Sequence, residues 1–322
     1  MPARRRAGDP YRDGMTVVIA FIANILVALA KSIVAALTGS ASMLAEAAHS
    51  WADAGNEIFL LIADRRAEKK RDAAHPLGYG RDAYIFSLFA AFGIFTVGAV
   101  VSVYHGIQSL AAPEAVENYT LNYIVLAVAF VLEGISLSQS VMQGRRTARR
   151  YRRGFFDYVV NGSNTTLRSV FFEDTAALIG LVLAATGIGL HQLTGDPMWD
   201  ALGSIAIGLL LGGVALLLIS RNRRYLLGAG PTDAYRSQVG RMLLAHPEIN
   251  RVTALYLEFS GPGVLFLVAA VDLVGDEPEN GVAAQLRRLE GDLEREELIG
   301  TAVLTLSVND EPSIVFDDTE PA

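Results

Sequence analysis

The sequence predicts a mainly α membrane protein: six transmembrane helices with both termini cytoplasmic, followed by a small α+β domain of order αββαβ. Three observations carry this. The 322-residue chain is 52% hydrophobic with a positive mean hydropathy, too apolar for an ordinary soluble protein. Six stretches reach the roughly 20 mostly apolar residues that a bilayer core requires. The basic loop residues fall on alternate loops.

The six stretches are Met15–Leu37, Ser42–Ala63, Tyr84–Ile107, Tyr119–Met142, Val170–Gln192 and Trp199–Ser220. The second and fifth qualify only if their carboxylates face the bundle interior. The first follows Arg4–Arg6 as a signal-peptide core would, but it is span-length and has no convincing cleavage site, so a retained helix is expected. Arg4–Arg6, then Arg65 to Arg71, then Arg145 to Arg153, then Arg221 to Arg224 mark one side of the membrane. The loops Thr38–Ala41, Gln108–Asn118 and Leu193–Met198 contain no Lys or Arg, so the basic side is expected to be cytoplasmic. The Asn161 and Asn164 sequons fall on that inner side and read as chance matches.

After Gly230 span-length runs give way to short alternating ones. Thr232–Ala245 reads as a helix, Arg251–Phe259 and Val264–Leu273 as strands around Ser260-Gly-Pro-Gly263, Val282–Glu297 as an amphipathic helix and Thr301–Val308 as a last strand. That order gives a ferredoxin-like sheet with helices on one face. The tail after Pro312 is acidic and expected to fray. Domain limits are therefore set at 1–230 and 231–322. The second segment carries 17 acidic and 6 basic residues; the first carries 17 acidic and 21 basic. An acidic module behind a basic, greasy body gives no support for nucleic-acid binding. With no cysteine, thiolate metal sites and thiol nucleophiles are excluded.

An ionisable group at bilayer depth is costly and by default functional. On the second helix Glu46, His49 and Asp53 are spaced i, i+3, i+7, within roughly 60° of arc on one face. His49 and Asp53 can offer an imidazole nitrogen and a carboxylate oxygen to one ion. That mixture suits Zn²⁺ and, less selectively, Mn²⁺, Fe²⁺, Co²⁺ or Ni²⁺. On the fifth helix Glu173 and Asp174 point about 100° apart; Asp174 is read as the ligand, with Glu173 and Glu46 as candidate further ligands or outer groups. Asn56, Glu57 and Glu133 are candidates for the pathway or a proton relay. Lys31 is expected to snorkel outward, and Asp200 to be an interfacial cap. His105 and His246 read as ordinary residues.

Three separated motifs, Thr38-Gly-Ser-Ala-Ser-Met-Leu-Ala-Glu-Ala-Ala-His49-Ser-Trp-Ala-Asp53, His75-Pro-Leu-Gly-Tyr-Gly80-Arg81 and Glu173-Asp174-Thr-Ala-Ala, resemble the cation diffusion facilitator family over essentially the whole chain. The last version is similar to the branch that includes a mitochondrial zinc transporter. The resemblance implies a homodimer that exchanges a divalent metal for protons, with no permanently bound cofactor, at a site on the second and fifth helices. Two departures stand out. Val170 occupies the position, four residues before Asp174, where many members have His. The Ser307-Val-Asn309-Asp-Glu-Pro312 segment has no His where members often place soluble-domain ligands. The soluble domain is accordingly expected to bind no structural metal and to dimerise by packing.

The expected function is a Zn²⁺/H⁺ antiporter exporting metal from the cytoplasm across a cell (inner) membrane. The alternatives are another divalent cation as main substrate, or a membrane metal sensor without net flux. Enzymatic catalysis has no second constellation to support it.

Overall fold

The computed structural model describes residues 14–67, 69, 71–112, 118–150 and 154–316. Arg4–Arg6, Lys70, Arg152, Arg153 and the last residues of the acidic tail lie outside the described residues. The helices are α1 (Gly14–Thr38), α2 (Ala41–Ala67), α3 (Asp82–Gly93), α4 (Val101–Ala111), α5 (Tyr119–Arg150), α6 (Phe155–Asn161), α7 (Thr165–Thr194), α8 (Met198–Leu226), α9 (Asp233–Leu244) and α10 (Glu279–Leu293). A π-helical stretch, Ile94–Val100, joins α3 to α4 in one continuous rod. The strands are β1 (Ile249–Gly261), β2 (Val264–Leu273) and β3 (Ile299–Leu306).

Among the described residues, five helical segments are long and apolar enough to cross a membrane: Phe21–Thr38, Asp82–Ala111, Tyr119–Arg149, Thr165–Thr194 and Met198–Leu226. Helix α2 is as long, at 27 residues, but Glu46, His49, Asp53, Asn56 and Glu57 lower its apolar content. The chain folds as two compact units. The first comprises residues 1–61, 88–143 and 168–219, the second 62–87, 144–167 and 220–322.

The first unit is all helix. Its core includes Met43, Ile94, Leu126, Leu181, Ile207 and Leu211. Outward, α1 presents Ile22, Leu26, Leu29, Ile33 and Leu37, all exposed and spaced three or four residues apart. Such a stripe is costly in water and at home in lipid. The rod containing α4 approaches α8 closely enough to need glycine: a Cβ on Gly208 would stand 2.9 Å from the Ala99 carbonyl oxygen. Ser204 Oγ donates to the Ser102 carbonyl, 2.9 Å, along the same contact.

Helix α1 ends at Gly39, whose φ of 68° is the left-handed conformation that closes a helix, with its N–H on the Ala35 carbonyl at 2.9 Å. Helix α2 starts immediately afterwards under an unusual cap. Asp200, near the start of α8, accepts the N–H groups of Ala41 (2.5 Å) and Ser42 (3.2 Å) and the Ser40 hydroxyl (3.0 Å). Ser42 Oγ returns a bond to the Asp200 carbonyl, 2.7 Å. Asp200 is thus a cap, as expected, but of a helix distant in sequence from its own. The carboxylate sits where the α2 dipole is positive.

In the second unit β1 pairs antiparallel with β2, and β2 pairs parallel with β3 through the α10 crossover. Leu265, Leu267, Ala269 and Val271 alternate into the core of β2, against Val239 and Leu243 of α9 and Leu289 and Leu293 of α10. The predicted order αββαβ is present, with α10 beginning three residues earlier than periodicity suggests, directly after Pro278. The expected fraying from Pro312 is overturned for the first residues of the tail. Ile314 donates its N–H to the Val252 carbonyl at 2.8 Å, and Ile314 and Phe316 pack on the core. Arg251 holds the preceding segment by donating to the carbonyls of Glu311, Val308 and Asn309.

The His75–Arg81 motif also lies in this unit. Asp72 accepts the Tyr79 hydroxyl at 2.6 Å and the His75 N–H at 2.7 Å, and the His75 and Tyr79 rings stack with centroids 4.0 Å apart. These bonds hold the Asp72 carboxyl below the usual carboxylate range. Gly80 meets Gly261 backbone to backbone, and Arg81 pairs with Glu258.

Candidate metal-transport site

Helix α2 turns Glu46, His49 and Asn56 into the interior of the first unit because its polar side chains recur at three- and four-residue spacing. Glu46 and His49 are 0% and 1% exposed, and Asn56 is 2% exposed, so this face points into the bundle. Asp53, one turn beyond His49, puts Oδ1 3.4 Å from His49 Nδ1. Neither ring nitrogen of His49 has a hydrogen-bond partner among the described residues. An imidazole buried in this way is costly unless something occupies its lone pair.

From α7, Glu173 and Asp174 enter the same interior, two turns past the helix start, and both are buried. Glu173 Oε2 accepts the Asn56 amide; its other oxygen is buried without a hydrogen-bond partner among the described residues. Asp174 Oδ2 accepts the Ser136 hydroxyl of α5 at 2.8 Å. The two adjacent carboxylates thus have different partners, as their roughly 100° separation requires.

The charges gather around Asp53, which feels Glu173, Glu133 and Asp174 as well as the cation Lys31. Glu57 interacts with Glu133 and accepts a hydrogen bond from Asn24 of α1. Asp53 of α2 thus lies within electrostatic reach of Glu173 and Asp174 on α7 and of Glu133 on α5. As the side chains stand, no group of three or more His, Asp or Glu residues among the described residues is drawn close enough to hold a metal ion. The donors share one neighbourhood without closing a coordination sphere.

Lys31 does not snorkel. It is 0% exposed and donates to Glu46 Oε2 at 2.8 Å. The outward expectation followed from the length of the side chain, but a carboxylate within reach in the interior provides the stronger partner. Ser136 and Asn24 were not singled out as partners from the sequence. Ser136 follows Glu133 by three residues and so shares its face of α5, which is the signal available for it.

Comparison with known proteins bears on the same helices. A profile described as the cation efflux transmembrane domain matches residues 17–227. The human proton-coupled zinc antiporter SLC30A9, mitochondrial, is 35% identical over 275 residues, covering 85% of this chain and 48% of that protein. Metal tolerance protein C4 of Arabidopsis thaliana is 33% identical over 233 residues, covering 72% and 51%. The cation-efflux pump FieF of Shewanella oneidensis is 34% identical over 151 residues, covering 47% and 48%. The chain spans about half the length of these relatives. A match over most of the membrane unit, on helices that bury an imidazole among carboxylates, places this chain in the cation efflux family.

Proposed function

We propose that the chain is a Zn²⁺/H⁺ antiporter that exports metal from the cytoplasm, with α2 completing six spans and both termini cytoplasmic. The observation that carries this is the buried imidazole of His49, without a hydrogen-bond partner among the described residues, beside an Asp53 that feels Glu173 and Asp174 of a second helix. His49, Asp53 and Asp174 are proposed as ligands of the transported ion. Glu173 is the candidate fourth donor, since Val170 cannot serve. Imidazole with carboxylates is a borderline donor set that suits Zn²⁺, and relatives named as zinc antiporters support that choice.

Ligands bind metal deprotonated, so protons compete with the ion for the same atoms. Alternating exposure of the site to the two sides would let a proton gradient displace the metal. Closing the ligand sphere around an ion and opening it again is the local movement this requires. Asn56, Glu57 and Glu133 are proposed to line the way to the site, with Glu57 and Glu133 as proton carriers. The αββαβ domain is proposed to hold a homodimer by packing, without a structural metal. The proposed setting is a cell (inner) membrane.

The experiment is Zn²⁺ flux into proteoliposomes under a proton gradient, with Mn²⁺, Fe²⁺ and Co²⁺ as competitors. His49→Ala combined with Asp53→Ala should abolish flux, and Asp174→Ala should weaken Zn²⁺ binding. Unchanged flux in the double variant would mean that the site lies elsewhere.

A further inference from the structure

The candidate ligands on α2 belong to a longer polar stripe, in which Ser42, Glu46, His49, Asp53 and Asn56 recur at four- and three-residue intervals. Opposite this stripe α7 is small. A Cβ on Gly180 would come within 2.5 Å of Glu46 Oε1, and one on Gly187 within 3.2 Å of Ser42 Oγ. Farther along the same seam Asn56 donates to Glu173. From Glu173 onward this side of α7 carries Ala177, Gly180, Ala184 and Gly187, all buried and within about 40° of one line. It ends in His191. That residue lies about five turns beyond Glu173, which returns it to the same side of the helix, roughly 27 Å along the axis.

His191 is 3% exposed, and its Nδ1 has no hydrogen-bond partner among the described residues. Its ring meets Tyr119 edge-on with centroids 5.8 Å apart, and the Tyr123 hydroxyl donates to Gln192 Oε1 at 3.2 Å. The last turn of α7 therefore packs on the first turn of α5. Asn122, in that turn of α5, is fully buried and meets Thr38 Oγ1 of α1 at 3.0 Å; its other amide atom has no hydrogen-bond partner among the described residues. The one hydroxyl hydrogen of Thr38 already goes to the Val34 carbonyl, 2.8 Å away, so Asn122 satisfies this contact by turning its NH2 toward Thr38 and donating. That leaves the Asn122 carbonyl oxygen as the free buried atom. An imidazole nitrogen and an amide oxygen thus stand without partners at the end of the bundle whose loops, Thr38–Ala41, Gln108–Asn118 and Leu193–Met198, carry no Lys or Arg.

We propose that the α2–α7 seam is the route by which the divalent cation leaves the His49–Asp53–Asp174 site, and that His191 is a second, weaker cation site at its far end, with the Asn122 carbonyl oxygen as a further donor. The inference rests on the transport reading above and extends it from the site to the exit. Imidazole nitrogen and amide oxygen are donors that a first-row divalent ion accepts. Neither carries a negative charge, so this site holds the ion less firmly than the carboxylate-bearing one. A conducting path needs such an end, able to receive the ion and to let it go. The buried His191 nitrogen is otherwise a cost with nothing to offset it. The seam is closed where Glu46 meets Gly180 and Ser42 meets Gly187, so passage requires α2 and α7 to part there.

The test uses the full chain in detergent, with Zn²⁺ binding followed by competition with a chelating dye and Co²⁺ as a spectroscopic probe. The chain has no cysteine, so His191→Cys sets one thiol at the proposed site, and Co²⁺ should raise a thiolate-to-metal charge-transfer band there. Leu193→Cys, at a position 84% exposed, should raise none. His191→Leu is expected to remove a Zn²⁺ step about tenfold weaker than the main one, to leave the main step in place and to lower maximal flux in proteoliposomes. In Asp53→Asn the weak step should be the one that remains. A thiol at position 191 that Co²⁺ never meets, or a weak step that survives His191→Leu, overturns the proposal. Absence of the weak step in Asp53→Asn overturns it too, and that measurement needs neither His191 variant to fold. Unchanged flux in His191→Leu would remove the residue from the exit route. The underlying reading fails separately: a tight step indifferent to Asp53→Asn means that the transport site is misplaced, while the Co²⁺ band still decides whether a metal binds at His191.

Discussion

The side-chain amide of Asn56 on α2 donates to Glu173 on α7, so the two helices that carry the candidate ligands are tied directly to each other. Asn56 is 2% exposed and Glu173 7%. Replacing Asn56 with Leu leaves a buried carboxylate without its donor, and the penalty for an unsatisfied buried group is about 1–3 kcal/mol. Thermal unfolding in detergent should show that loss for Asn56→Leu. A larger one is expected for Asn56→Asp, which sets a second carboxylate against the first. Wild-type stability in both variants would show that the bond is not formed.

Asp200 governs where α2 begins. Its side chain accepts from Ser40, Ala41 and Ser42, and all of these groups are buried. Asp200→Ala removes the cap and strands donors that water cannot reach. Loss of a cap alone costs about 0.5–2 kcal/mol, and the buried donors add to that. Because α2 also carries His49 and Asp53, Zn²⁺ affinity is expected to fall in the same variant. Asp200→Asn, which keeps an acceptor, should recover part of both. A destabilised variant with unaltered Zn²⁺ affinity would confine the role of Asp200 to folding.

The features legible in the sequence are those encoded by period and charge. Polar residues at Glu46, His49 and Asp53, three and four apart, mark one helix face, on which Glu46 and His49 are buried and Asp53 is partly so. Alternation along Val264–Leu273 marks β2, whose bounds are the ones expected. Direction of reach between helices is a different matter. Lys31 reads as snorkelling because a long side chain on an apolar helix has no visible partner until α1 and α2 are packed. Asp200 caps a helix some 160 residues earlier in the chain, a relationship that neither helix's own sequence encodes. Ile314 and Phe316 read as frayed tail because the partner surface, formed by Val252 and the neighbourhood of Gly240, exists only once the sheet has formed.

The α4–α8 contact sets a limit on side-chain size. A Cβ on Gly208 would meet the Ala99 carbonyl at 2.9 Å and Val103 Cγ2 at 2.7 Å. Gly208→Ala should therefore push the helices apart and destabilise the chain by about 1–3 kcal/mol, the usual cost of overpacking. Gly134 on α5 is the internal control, since nothing lies within 4 Å of its Cβ position. Gly134→Ala should be neutral or gain up to about 1 kcal/mol from helix propensity. Both are read by thermal unfolding in the same detergent, and equal effects would mean that the helices do not approach this closely.

The Asp72–Tyr79 bond makes a pH prediction with a definite sign at each end. The Tyr79 hydroxyl, with the His75 N–H, holds the Asp72 carboxyl down. Its contribution is complete above the unfolded value, about 3.9, and is lost as pH falls through the lower folded value. The same bond to Asp72 raises the Tyr79 phenol. That contribution is complete below the unfolded value of about 10 and is lost as pH rises through the higher folded value. The loop should thus keep this bond between about pH 4 and pH 10. Ultraviolet titration, taken as the difference between wild type and Tyr79→Phe, isolates this one phenol among the 11 tyrosines. It should ionise above the ordinary range, and Asp72→Asn should bring it back toward that range. A Tyr79 titration indifferent to Asp72→Asn would mean that the carboxylate does not hold the hydroxyl in solution.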